Sequence, residues 1–169
     1  MYTVILQPAG DTDSWTDDGR GSFQKSFLET IMRIEGSLFE TLLKYTPSPP
    51  PEVGGLLGGQ KGIISKVVMD SGIKGSDYYT PDVKLLNRII EEWDKDGIEL
   101  YGLFHTHYNE SKSLSFGDRE YIRTIMRSIY PYITTLYFPI LIPQRGMLAF
   151  IAHGTETEVN ILRDEILVI

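Results

Sequence analysis

His105 and His107 are one residue apart at the end of an apolar run spanning 98–104, which reads as a strand. The two-residue period of a strand sends both imidazoles to one face. Asp118 follows within Ser115-Phe116-Gly117-Asp118, where a short loop could fold its carboxylate back onto the histidines. Two histidines and one carboxylate make a three-ligand zinc site whose fourth position is open to water, the arrangement of catalytic rather than structural zinc. Such an ion lowers the pKa of its water from about 15.7 towards about 7 and polarises a carbonyl, which is hydrolytic chemistry. A base to receive the water's proton is then still required. Each residue also has a plainer reading. The histidines could be two half-exposed side chains, and Ser115-x-x-Asp118 ahead of an apolar run is a helix N-cap signature. Glu52, beside Gly54-Gly55, could be an ordinary exposed acid. His153 has no partner at ligand spacing and reads as structural.

A chain of 169 residues, 41% hydrophobic and 23% charged, is expected to form one domain over 1–169. It is long enough to bury a core without staples. The absence of cysteine excludes disulfide scaffolds, thiolate zinc fingers, iron–sulfur clusters and cysteine nucleophiles. His, Asp and Glu remain as the strong metal ligands, and a metal here would serve chemistry. A net charge of -7, from 16 basic and 23 acidic residues, argues against nucleic acid as a partner. No window approaches the roughly 20 apolar residues of a membrane span, and no basic segment precedes the first apolar run, so no membrane partner and a cytoplasmic location are expected.

The elements that must position these residues follow from periodicity. Residues 4–6 read as a short strand, and the acidic, glycine-containing stretch 11–22 as a mobile loop. A strand is expected over 27–34 and a helix over 37–45, where Leu38, Phe39, Leu42 and Leu43 form one stripe. Pro47, Pro49, Pro50 and Pro51 then impose an extended segment that ends at Glu52. Residues 54–57 and 63–69 read as a strand pair around a Gly58-Gly59 turn. Thr80 and Pro81 read as the N-cap and first residue of a helix with Leu86, Ile89, Ile90 and Trp93 on one face, ending at Gly97. A second helix carries Ile122, Ile125, Met126 and Ile129 and stops at Pro131. Three strands are expected at 134–142, 147–152 and 158–168.

The order of these residues resembles the motif of the JAMM metalloproteases, also called MPN-plus or JAB: a glutamate, then His-x-His, seven residues, Ser, two residues and Asp. His105-Thr106-His107, the seven residues 108–114, and Ser115-Phe116-Gly117-Asp118 meet that spacing without a gap. Upstream, Glu52-Val53-Gly54-Gly55-Leu56-Leu57-Gly58 is similar to the glutamate-x-Gly-Gly-x-x-Gly segment of prokaryotic members. The resemblance covers about residues 37–152. It implies an α/β, cytidine-deaminase-like three-layer fold with a central mixed β-sheet and flanking helices, and one zinc ion per chain. It also implies His105, His107 and Asp118 as ligands, Glu52 as general base and Ser115 as the oxyanion-stabilising group. The implied activity is cleavage of amide or isopeptide bonds after the C-terminal tail of a ubiquitin-like or sulfur-carrier-like protein, in a precursor or a conjugate. Activating and conjugating enzymes of the same pathway are the other implied partners. Thr106 points to the opposite face, where a core contact is the simpler reading. Tyr108 stands where many members have proline, so the loop after His107 is expected to differ in shape. Gly54-Gly55 could serve close approach of a substrate backbone or tight strand packing. Two rival readings are a non-catalytic MPN-like scaffold and a zinc hydrolase of a small-molecule amide. The thiolate ligands of zinc deaminases are unavailable to a chain without cysteine.

Overall fold

Alternation and helical stripes do set the elements in the computed structural model, which describes residues 31–47, 50–72, 79–108 and 111–169. The strand expected at 4–6 and the loop expected at 11–22 lie outside the described residues. In chain order the elements are β1 (Ile31–Ile34), α1 (Gly36–Tyr45), β2 (Gly54–Gln60), β3 (Ile63–Asp70), α2 (Val83–Lys95), β4 (Glu99–Thr106) and α3 (Phe116–Ile129), followed by four strands. These are β5 (Thr135–Tyr137), β6 (Ile140–Ile142), β7 (Gly146–Gly154) and β8 (Val159–Val168). No helix among the described residues is long and apolar enough to cross a membrane.

The eight strands form one mixed sheet in the order β2-β3-β1-β8-β7-β5-β4-β6. Two further pairings, β2 with β4 and β7 with β6, close it into a barrel. The expectation of a mixed α/β sheet with flanking helices therefore holds, and closure is the added feature. Closure removes open edges that a flat sheet would expose. It also brings β2 antiparallel against β4, with Gly54 opposite His105 and Gly55 opposite Phe104.

Because side chains alternate along a strand, neighbouring residues enter different cores. Leu57 and Phe104 join Met32, Ile34 and Ile64 beneath Leu42 of α1. Leu56 and Leu103 instead pack with Leu86, Ile90 and Trp93 of α2 and with Ile122 and Ile125 of α3. Helices thus cover both faces of the sheet.

Three local expectations are corrected. The hairpin turn lies at Lys61-Gly62, both with positive φ (54° and 75°), and β2 continues through Gly58-Gly59, where its pairing with β3 and β4 shifts register. Those glycines are needed for packing: a Cβ on Gly58 would collide with the Trp93 ring, and one on Gly59 with the Ile63 carbonyl. The N-cap of α2 is Asp82, not Thr80, and its side chain accepts the Leu85 N–H at 3.1 Å. The buried Asp70 carboxylate in turn accepts the Asp82 N–H at 2.8 Å. Finally, the strand expected at 134–142 is two short strands interrupted at Phe138-Pro139, where proline has no N–H to continue the ladder.

Candidate metal centre

Backbone bonding at the end of β4 and one residue beyond it fixes the two histidines. The His105 N–H donates to the Pro139 carbonyl (3.3 Å) and the His107 N–H to the Leu141 carbonyl (3.0 Å). As the period of a strand requires, both rings point the same way, with Nε2 atoms 2.9 Å apart. Asp118 reaches them from the start of α3, where Ser115 is the N-cap of a complete capping box. Ser115 Oγ accepts the Asp118 N–H at 3.1 Å, and Asp118 Oδ2 accepts the Ser115 N–H at 2.7 Å. The plain N-cap reading of this tetrapeptide is therefore correct, and it also aims the carboxylate. Asp118 Oδ1 lies 3.3 Å from His105 Nε2, and Oδ2 lies 3.5 Å from His107 Nε2.

These residues could bind a metal ion, since a ligand atom from each lies within 4.8 Å of the other two. Tetrahedral zinc, with ligands at about 2.0–2.1 Å, sets neighbouring ligand atoms about 3.3 Å apart. The 2.9 Å between the Nε2 atoms and the 3.3 Å from His105 Nε2 to Asp118 Oδ1 lie near that edge, and the 3.5 Å contact of His107 Nε2 is to the other oxygen, Oδ2. His107 Nδ1 lies 3.2 Å from the Ser111 carbonyl oxygen. A carbonyl only accepts, so this bond places the proton on Nδ1 and leaves Nε2 free to ligate. The three groups also contact one another directly. Burial pulls the His107 pKa down, but its hydrogen bonds to Asp118 and to the Ser111 carbonyl and the charges of Asp118 and Glu52 outweigh it, and the net shift is upward. Burial pushes Asp118 up, yet its bonds to His105 and His107 hold it well below the usual carboxylate range.

Glu52 lies in the same cavity as His105, His107, Ser115 and Asp118. Two ties place it there. The Val53 N–H donates to Thr106 Oγ1 (2.9 Å), while the Thr106 N–H donates to the Val53 carbonyl (2.8 Å). The Tyr108 hydroxyl donates to the Pro51 carbonyl at 2.6 Å. The residues on either side of His107 thus grip the residues on either side of Glu52. Thr106 does face away from the ligands and is fully buried, but its hydroxyl is a tether as well as a core contact. Tyr108, the departure from the motif, supplies the second tether. Neither role could be read from the sequence, because the partner atoms are backbone atoms more than fifty residues away. Gly54-Gly55 serves packing, since a Cβ on Gly54 would meet Tyr79 and one on Gly55 the Val68 carbonyl. His153 does not line the cavity, and its Nδ1 is 3.1 Å from Thr135 Oγ1.

Thr106→Val tests the tether directly. It keeps the shape but leaves the buried Val53 N–H without its acceptor, so a loss of about 1–3 kcal/mol of stability is expected in chemical denaturation. A loss below a few tenths would show that Val53 finds another partner.

No family model matches the chain, and no curated protein matches it. Among solved structures, a protein from Desulfitobacterium hafniense is similar over 81% of this chain and 92% of its own, at 17% identity and a TM-score of 0.59. A protein from Salinibacter ruber is similar over 82% of this chain and 92% of its own, at 13% identity and a TM-score of 0.50. A JAB1/MPN domain protein from Archaeoglobus fulgidus matches over 80% of this chain and 96% of its own, at 14% identity and a TM-score of 0.42. At these identities the first two likenesses concern the fold alone.

Proposed function

We propose that this protein is a zinc-dependent amide hydrolase of the JAMM type. Its proposed substrate is a ubiquitin-like or sulfur-carrier-like protein, cleaved after its C-terminal tail in a precursor or a conjugate. The observation that carries the reading is that all five motif residues, from Glu52 to Asp118, meet in one cavity with the three ligand types at zinc spacing. The cytidine-deaminase-like layering belongs to the same reading. So do a cytoplasmic location and activating and conjugating enzymes as partners.

His105, His107 and Asp118 would hold one zinc ion per chain. When bound, zinc supplies Lewis acidity to water and carbonyl. Glu52 takes the proton of the attacking water and returns it to the leaving amine, which the cleavage of an amide requires because the amine leaves poorly as an anion. Ser115 Oγ accepts from the Asp118 N–H, so its own proton stays free to meet the developing oxyanion. Capping and catalysis are therefore compatible in one hydroxyl.

Metal analysis with an assay on ubiquitin-like proteins carrying a C-terminal fluorogenic amide tests the proposal. About one zinc per chain and chelator-sensitive release are expected, and a protein that retains no zinc overturns it. Ser115→Ala separates the two roles of its hydroxyl. A cap alone costs about 0.5–2 kcal/mol of stability and leaves turnover near normal at low temperature. Slow turnover in a fully zinc-loaded protein is the outcome expected if the hydroxyl also meets the oxyanion.

A further inference from the structure

The cavity around the candidate metal centre has a volume of about 1000 Å³ and extends well past the ligands to Tyr79, Leu103, Tyr121, Ile122 and Phe138. Leu103, Ile122 and Phe138 are core residues at 4%, 2% and 3% exposure, so this arm is an inner, apolar wall. The wall is preformed. The Tyr79 hydroxyl donates to Asp70 Oδ2 (3.0 Å), and the same oxygen accepts the N–H of Asp82, the cap of α2. The Tyr121 hydroxyl, in the same wall, is buried with no hydrogen-bond partner among the described residues. Cavities of about 300–1,000 Å³ enclose a drug-sized ligand. A tail made of glycine would have no side chains with which to fill this one.

We propose that the arm is a subsite for an aromatic or branched aliphatic group attached beside the scissile amide. The inference rests on the metal reading above and narrows its substrate class. Removing such a group from water supplies binding energy that a glycine tail lacks, and holds the amide against the ligand cluster.

The test compares acetohydroxamic acid with phenylacetohydroxamic acid by calorimetry on the zinc-loaded full chain. The chelating group is shared, so the difference reports the ring. Phenylacetohydroxamate is expected to bind at least about tenfold more tightly, the lower end for burying a side chain of that size. Its binding should also carry the more negative heat-capacity change, a marker of apolar burial that needs no variant. Val83→Trp, at a partly buried lining position, should reduce the ratio below about threefold and leave acetohydroxamate unchanged. Equal affinities in the unaltered protein, or an undiminished ratio in a folded Val83→Trp protein, overturn the subsite and leave the metal reading standing. A zinc-loaded protein that binds neither probe also overturns the subsite. A protein that retains no zinc overturns the metal reading, and the subsite with it.

Discussion

Glu52→Gln is expected to keep its zinc and lose at least about 10²-fold in turnover, the usual minimum for removing a general base. The substitution preserves the size of the side chain and both of its neighbours' tethers, because those run through backbone atoms of Pro51 and Val53. Only the ability to accept a proton is lost. Zinc content and single-turnover cleavage measured on one preparation decide the point. Joint loss of zinc and activity would make Glu52 a ligand, and near-normal turnover would make it a bystander.

His107→Ala should empty the centre. One imidazole of the two disappears, and the remaining His105 and Asp118 offer too few donors for a stable site. The readout is the metal-dependent part of stability. With free zinc at about 1,000 times the dissociation constant, binding stabilises a folded protein by about 4 kcal/mol. The unaltered protein should show an upward shift of melting temperature on adding zinc, and the variant none. An equal shift in both would place the metal elsewhere. Acidification should act in the same direction, since only neutral imidazole ligates and protonation competes with the metal. The raised pKa of His107 brings that competition to a higher pH than an ordinary histidine would.

Much of the fold and of the site was legible because periodicity reports faces. Leu86, Ile89, Ile90 and Trp93 are the buried residues of α2, and Ile122, Ile125, Met126 and Ile129 those of α3, as their spacing predicts. The His-x-His pair and the Ser115 cap were legible for the same reason, each being set by local geometry. Partners were not legible. Nothing in the run from Gly54 to Gln60 announces that β2 pairs with β4 as well as with β3, and that pairing closes the barrel. The two glycine pairs in that strand were open to misreading because glycine marks turns and close contacts alike. Only the position of Trp93 shows that Gly58 is a contact. Thr80 reads as a cap from its place before Pro81, whereas Asp70, which holds the N–H of the actual cap Asp82, lies outside the local window.

The capping box bears on which ion the centre would take in a cell. The Ser115 N–H holds the Asp118 carboxylate in one orientation, with Oδ1 beside His105 and Oδ2 beside His107. Calcium asks for six to eight oxygen ligands and magnesium for an octahedron, and two imidazoles with one oriented carboxylate supply neither. Among the later first-row metals the order of affinity runs the other way, with copper bound more tightly than zinc at most such donor sets. A helix cap would thus set one carboxylate beside two imidazoles, a donor set poorer in oxygen than the abundant hard cations require, and the choice among softer ions would fall to their supply.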